Sequence, residues 1–514
     1  MKKNLTVPVK AMLQTLLGAI FVLGPGCVIA NAATPTTATQ ENFHLPSTVF
    51  SVRADGQELF TEHFKQIHYA DFTAGEGRTK IDVNFPHPIN SATVSPAINN
   101  IKTTVKGNNI NFTLPERGWY VLTVNDTAKL FLFANEPQRI PAGKDVLSVM
   151  DFVSDATGRS IQTQAIQYAL DVASETGKTL LFPRGIYLTG TLTIGSNTDI
   201  YLADGAMIKG VPDKNAYPLD PGRSEKQGSD NGEFFSFSRL LLVENAENVH
   251  IRGRGIIDGS GTKVRPQGRR ANLIRIHNSR NVTIEGVILR DPASWNTHIL
   301  HSEDVAISGV KLLNDASVPN TDGFDPDASL RVLIENCFAY CSDDNVAIKT
   351  TNNSGSLRDL KDITVRDNVF LTRKSSLKVG TESKASRMSD ILFENNDIIE
   401  CDRAMSLYCL DGATFENIRF INNRIERNRR DRQPMILQFY IKRRSGKGQI
   451  KHVLVKDCTV LETFPMGSEI YGLDSDHIIE DVEFVNFKVA SKKIESLEDL
   501  GIEENPFTRN ISFR

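Results

Sequence analysis

The segment NVTIEGVIL at 281–289 is followed by DVAISGVKL at 304–312, RVLIENCFA at 331–339 and DITVRDNVF at 362–370. Each begins with a polar residue, takes an apolar-x-apolar step, then turns through a polar or glycine position into a second apolar step. The pattern continues in DILFENNDI at 390–398, NIRFINNRI at 417–425, HVLVKDCTV at 452–460 and DVEFVNFKV at 481–489, and it starts as early as NVHIRGRG at 248–255. Its first apolar positions are Val249, Val282, Val305, Val332, Ile363, Ile391, Ile418, Val453 and Val482, which are 23 to 35 residues apart. A unit of that size holds two or three short strands and cannot bury its own apolar face, whereas stacked units can. No regular antiparallel blades, as a propeller needs, are visible. The expectation is an all-β chain dominated by a right-handed parallel β-helix over residues 145–489.

Outward from the repeat, Ser160–Ser174 places Ile161, Ala165, Ile166, Ala169, Leu170 and Ala173 at helical spacing. One amphipathic helix there would cover the open end of the coil stack, where unpaired strand groups would otherwise be exposed. Residues 43–140 carry short β-type runs (Thr48–Val52, Lys80–Phe85, Ile110–Leu114, Trp119–Val124, Leu130–Phe133) broken by turn formers such as Asp55-Gly56 and Gly107-Asn108-Asn109. That pattern predicts a small antiparallel β-sandwich without a catalytic cluster. Residues 34–42 read as a polar linker, and 490–514 as a C-terminal tail.

The first 33 residues resemble a processing segment: Lys2, Lys3 and Lys10 precede an apolar run from Ala11 to Ala30, and Ala30-Asn31-Ala32 offers a cleavage site. Gln14, Gly18 and Gly24-Pro25-Gly26 interrupt that run, which argues against a membrane anchor; a lipid on Cys27 is the lesser alternative. A secreted or periplasmic protein is expected. The formal charge of −3 (59 Lys+Arg, 62 Asp+Glu) gives no electrostatic case for nucleic acid or an anionic membrane as partner. Cys337, Cys341, Cys401, Cys409 and Cys458 are odd in number and lack CxxC spacing, so buried thiols are favoured over disulfides or zinc. No metal or cofactor is expected, and oligomeric state is not encoded in any pattern.

In a coil stack, equivalent positions of neighbouring coils lie about 4.8 Å apart. Asp322, in PNTDGFDPDAS, and Asp343-Asp344, in CSDDNVAIK, are about one coil apart and can meet. Like charges at short range push at least one pKa up, giving the protonated acid and ionised base that glycosidic hydrolysis requires. Against this, Asp-Gly at 322–323 also suits a plain turn, and adjacent Asp343 and Asp344 would point to opposite faces of a regular strand.

The region from Asp145 to Val489 resembles glycoside hydrolase family 28, the polygalacturonase-type β-helix enzymes. The resemblance is carried by AIQYAL at 165–170, LLFPRGIYLTGTLTI at 180–194, NTDIYLADGAMIKG at 197–210, DPASWNTHIL at 291–300, NTDG at Asn320–Gly323 and the Asp343-Asp344 pair. It implies an inverting glycosidase with Asp343 as general acid, and Asp322 and Asp344 positioning and deprotonating water. Two family motifs are altered. Lys374-Ser375-Ser376 replaces Gly-His-Gly, and Ser406-Leu407-Tyr408 replaces Arg-x-Lys, removing the cations that hold a substrate carboxylate in pectin-cleaving members. Lys349, Lys378 and Arg403 are candidates to restore that charge. Asn320, Trp295, His298, Ser375, Lys378, Arg403, Tyr408 and Tyr440 are the expected substrate-binding residues, Trp295 by stacking on a sugar. WYVLTVNDTAKLFLFANEP at 119–137 is also similar to the sandwich of family 49 dextranase-type enzymes. The substrate is therefore expected to be a polysaccharide other than plain galacturonan, dextran-type or galactan-type glycans among them. A non-catalytic carbohydrate-binding β-helix is the alternative from another class; a lyase is disfavoured by the missing cations.

Overall fold

A computed structural model describes residues 44–221, 238–428 and 434–514. The expected signal peptide (1–33) and linker (34–42) lie outside the described residues. The chain folds as a sandwich followed by a parallel β-helix, and the described residues belong to one compact unit.

In the sandwich, strands such as Thr79–Asn84 alternate buried and open positions, so Ile81 and Val83 face inward. They meet Phe72, Leu122, Leu130 and Leu132 of the opposing five-stranded sheet in a shared core. The antiparallel expectation needs one correction: Ile67–Thr73 and Ala128–Asn135 pair in parallel. Most of the sandwich's chain separates these two strands, so they meet through a crossover, which a hairpin turn cannot provide.

Among the described residues the coils build three sheets of 13, 12 and 10 strands, taking every third strand of the chain except where Val146–Ser148 pairs with Thr179–Phe182 and Lys488–Val489 with Lys492–Lys493. The repeat is also the register. Val249 pairs with Val282, then Val305, Val332, Ile363, Ile391, Ile418, Val453 and Val482 follow as successive Cα partners. The residue before each of these has a left-handed backbone, for example Asn281 (φ 53°), Asp304 (53°), Asp362 (60°) and Asp390 (56°). Asn and Asp tolerate that conformation and hydrogen-bond locally, which is why they recur there. Inside the turns, Asn368 Nδ2 donates to Asn396 Oδ1 (2.8 Å) and Asn396 Nδ2 to Asn423 Oδ1 (2.9 Å), satisfying buried amides coil to coil. The segment read as a C-terminal tail is another correction: Thr508–Phe513 adds a rung, with Ile511 opposite Val482.

The capping helix spans Thr163–Thr176, buries Ile166, Ala169, Leu170 and Ala173, and packs on Thr179–Phe182, Leu192–Ile194 and Thr198–Leu202. Ile161, expected on its apolar face, lies before the helix and is 60% exposed. The five described cysteines are free and buried.

The sandwich docks on the 12-stranded sheet. Phe64, Ile67, Tyr69, Trp119, Phe131 and Phe133 meet Ile186, Met207, Ile256, Ile288, Leu313 and Phe338 in one apolar layer. Arg290 crosses that layer, donating to Glu62 Oε1 (2.6 Å), Asp258 Oδ2 (2.7 Å) and the Tyr69 hydroxyl (3.0 Å). Both carboxylates are buried, and removing one member of a buried charge network leaves the others uncompensated. Arg290→Ala should therefore cost about 3–5 kcal/mol of stability. Urea unfolding checks this, and a loss under about 1 kcal/mol would show that water or rearrangement satisfies the pair.

Candidate active site

The 10-stranded sheet includes Thr297–Leu300, Phe324–Asp327, Val346–Thr350, Ser375–Ser383, Arg403–Cys409 and Met435–Ile441 on successive coils. Asp322 lies just before Phe324–Asp327, and Asp343-Asp344 just before Val346–Thr350. They are brought side by side by the backbone: Asn296 N donates to Asp322 O (2.9 Å), Gly323 N to Asp344 O (2.8 Å) and Asn345 N to Ser375 O (3.0 Å). Gly323 is required by this approach, since a Cβ there would meet Asn345 O at 2.4 Å. Asp343 and Asp344 occupy a bend outside the strand, so strand alternation does not send them to opposite faces.

Two buried lysines sit among the carboxylates. Lys349 Nζ lies 3.0 Å from Asp322 Oδ2 and 2.8 Å from Asp325 Oδ1. Lys378 Nζ lies 2.6 Å from Asp344 Oδ2, while Ser375 N donates to Asp344 Oδ1 at 2.9 Å. Burial opposes the Asp344 charge, but Lys378 outweighs it and holds the carboxyl below its usual range. Asp343 is half-buried and has no ion pair among the described residues. Burial, then the charges of Asp322 and Asp344, push it up to about 7. Burial raises Asp322 to about 8 despite Lys349, with Asp325 and Asp344 adding to the rise. Adjacent residues of one bend thus hold opposite proton occupancies near neutral pH.

Ser375, Lys378, Arg403 and Tyr408 surround this group. Arg403 Nε donates to Ser375 Oγ (3.2 Å), its Nη1 pairs with Asp402 (3.1 Å), and Ser406 Oγ reaches Ser375 Oγ (3.2 Å). The Tyr408 and Tyr440 rings stack at 4.4 Å. Asn320 accepts from Arg265 Nη2 at 3.0 Å. Trp295 and His298 are placed differently from expectation. Trp295 is 3% exposed and Lys349 Nζ lies 3.6 Å from its ring centroid, so that face is not open to a sugar. His298 is fully buried, and its Nε2 pairs with Asp327 Oδ2 at 2.9 Å. Burial pushes its pKa to about 4, leaving a neutral ring that anchors Asp327. Sequence reasoning passed over Asp325 and Asp327, although the run TDGFDPD concentrates three acids in one segment.

An acid held protonated by burial and repulsion opposes its own folding contribution. Its native pKa exceeds the unfolded one, so stability falls as pH rises from about 4 to about 7. Asp343→Asn should therefore melt at or above the wild-type temperature, with an advantage that grows across that window. A lower melting temperature throughout would mark Asp343 as a structural residue.

Residues 221–498 match the family model for glycosyl hydrolases family 28, a range that contains Asp322, Asp343 and Asp344. A probable polygalacturonase of Vitis vinifera is 31% identical over 216 residues, covering 40% of this chain and 44% of that one. The chain spans about half the length of the curated relatives it matches. Two solved structures share the fold at low identity. A family 28 exopolygalacturonase of Yersinia enterocolitica (TM-score 0.59, 18% identical) covers 85% of this chain and 93% of its own. Dex49A from Penicillium minioluteum (TM-score 0.59, 12% identical) covers 94% and 97%, so that likeness takes in sandwich as well as coils.

Proposed function

This chain belongs to glycosyl hydrolases family 28, and from that footing we propose that it hydrolyses O-glycosidic bonds of a polysaccharide by inversion. The observation that carries the reading is the divergence of two neighbouring carboxyls: Asp343 keeps a proton to about pH 7, while Lys378 and Ser375 N keep Asp344 ionised. Asp343 donates its proton to the leaving glycosidic oxygen. Asp344 deprotonates the water that attacks the anomeric carbon from the opposite face, and Asp322, which keeps its own proton to about pH 8, helps to hold that water. Inversion in one displacement needs this division of labour between an acid and a base. The protein acts outside the cytoplasm, and the sandwich serves as a scaffold for the coils.

The positions beside the carboxylates argue against plain galacturonan as the preferred substrate. Lys349 and Lys378 are engaged by Asp322, Asp325 and Asp344, and Ser375, Ser406 and Tyr408 supply hydroxyls without charge. Arg403, on the next coil, is already paired with Asp402. A buried substrate carboxylate without a matching cation is costly.

Two measurements test this. Release of reducing ends from a panel of pectic, dextran-type and galactan-type polymers should occur with wild type and vanish with Asp343→Asn; equal activity in both would sink the catalytic assignment. On the accepted polymer, kcat/KM should decline as pH rises through about 7, because the acid loses its proton. A profile flat to about pH 9 would remove Asp343 from that role. Polygalacturonate should be the poorer substrate, and its rapid hydrolysis, abolished by Arg403→Ala, would restore an ordinary pectinase reading.

A further inference from the structure

Asp325 and Asp327 share one face of the strand Phe324–Asp327, under the groove that the carboxylates line, and both are fully buried. Their surroundings differ. Asp327 finds donors in its own neighbourhood: Thr351 N (2.7 Å), Thr351 Oγ1 (2.6 Å) and His298 Nε2 (2.9 Å). Among the described residues no backbone N–H, hydroxyl or amide donates to either oxygen of Asp325. What faces it instead is Lys349 Nζ at 2.8 Å and the carboxyl of Asp322. A buried carboxyl without such donors costs stability, so its partners must be sought among the reacting groups.

One ammonium here serves two carboxyls. Lys349 Nζ lies 3.0 Å from Asp322 Oδ2 and reaches Asp325 from the same position, while the Trp295 ring at 3.6 Å covers another of its sides. Two carboxylates against one ammonium would leave one uncompensated negative charge where the side chains are at most 6% exposed. Keeping one proton on the pair makes the triplet neutral. Burial lifts Asp325 to about 6 while Lys349 and a hydrogen bond from Asp322 hold it down, and Asp322 titrates higher, at about 8. The triplet is therefore a Lys349 ammonium, an Asp325 carboxylate and an Asp322 carboxylic acid. The other charged and titratable groups facing it are Asp343, Asp344 with Lys378, Glu382, the neutral ring of His298 and the Cys341 thiol, which burial keeps protonated.

We infer that Asp325 is a positioning residue of the reaction: its carboxylate, held by Lys349, takes the hydrogen of the Asp322 carboxyl, so that Asp322 accepts from the attacking water and Asp344 is left as the sole base. The Asp322 proton stays in place through the displacement, while the water's proton goes to Asp344 and that of Asp343 to the leaving oxygen. Asp325 meets neither sugar nor water and acts through Asp322. This rests on the hydrolase reading above and adds the group that sets the proton occupancy of one of its three carboxyls. Without the Asp325 charge, Lys349 has Asp322 as its single carboxylate partner and draws it into the ionised form. The negative charge then sits on Asp322, the first charge acting on Asp343 after burial.

Asp325→Asn tests this on two independent readouts. On the accepted polymer, the alkaline limb of kcat/KM, set by Asp343, should move up by about half a pH unit or more, because an ionised Asp322 opposes the loss of a second proton. KM should change little, since Asp325 does not meet the sugar, while kcat falls about tenfold as two bases compete for one water. An alkaline limb that stays where wild type has it overturns the inference and leaves the hydrolase reading standing. Infrared difference spectra need no substrate. In the Asp343→Asn background at about pH 7, a protonated-carboxyl band should disappear on adding either Asp322→Asn or Asp325→Asn. Disappearance with Asp322→Asn alone overturns the inference. Disappearance with both, in a protein whose wild type hydrolyses no polymer, retains the proton pair and overturns the hydrolase. Asp325→Asn should fold, because Lys349 and Asp322 are the partners it disturbs. If neither it nor the smaller Asp325→Ser folds where Asp322→Asn does, Asp325 is structural and the inference fails.

Discussion

The constraint on which the rest of this molecule depends is coil-to-coil register. Every pairing from Val249 to Val482 places equivalent residues of successive coils in one column, and a slip of one residue would send that apolar column to the wrong face. A left-handed residue before each apolar step, Asn or Asp except at Arg331 and His452, puts the same local bend in every coil, so register is set locally and repeated. Stacking then brings residues from segments such as 320–323 and 343–345 within hydrogen-bonding distance, which no local turn could do.

The same stacking makes the carboxylate group possible and gives its members different characters. Asp322 and Asp325 meet Lys349 from the next coil, and Asp344 meets Lys378 from the coil after its own. Asp343 meets neither and keeps its proton beside an ionised neighbour, while Asp322 keeps its own in spite of Lys349, because burial and the facing carboxyls outweigh that cation. A chemical difference between adjacent residues thus arises from which of them a lysine one rung away can reach. Trp295 and His298 fit the same arrangement from below, one against Lys349 and the other against Asp327.

The apolar columns, the helix and the three aspartates could be read from the chain, because each is carried by local periodicity or by a short motif. Val249 through Val482 needed no knowledge of the fold to align. Burial at the turns was not readable in that way. DPASWNTHIL has no strand alternation around Trp295, and nothing in it tells a ring open to solvent from one that supports a lysine of a later coil. Asp325 escaped notice because its partner, Lys349, is contributed by the next rung. Thr508–Phe513 reads as a tail because its apolar step, Ile511 and Phe513, sits after a polar stretch that breaks the period. The parallel pair in the sandwich depends on a crossover, which strand propensity does not encode.

The sandwich sits on the 12-stranded sheet, yet one of its turns reaches the edge of the groove. Lys65 Nζ donates to Thr262 Oγ1 (2.8 Å) and Gln66 Nε2 to Asp315 Oδ1 (3.1 Å). Thr262 belongs to the segment that carries Arg265, and Asp315 to the turn that leads into Asp322. A single tight turn therefore braces both loops, while the apolar layer and Arg290 hold the sandwich in place behind it. Loops of this kind are the least constrained part of a β-helix, since their residues are outside the ladders. The sandwich contributes no group to the carboxylate cluster, but it fixes the spacing between the acid-bearing turn and the segment of Arg265. Its influence on the groove is thus expressed through the precision with which those two loops are held.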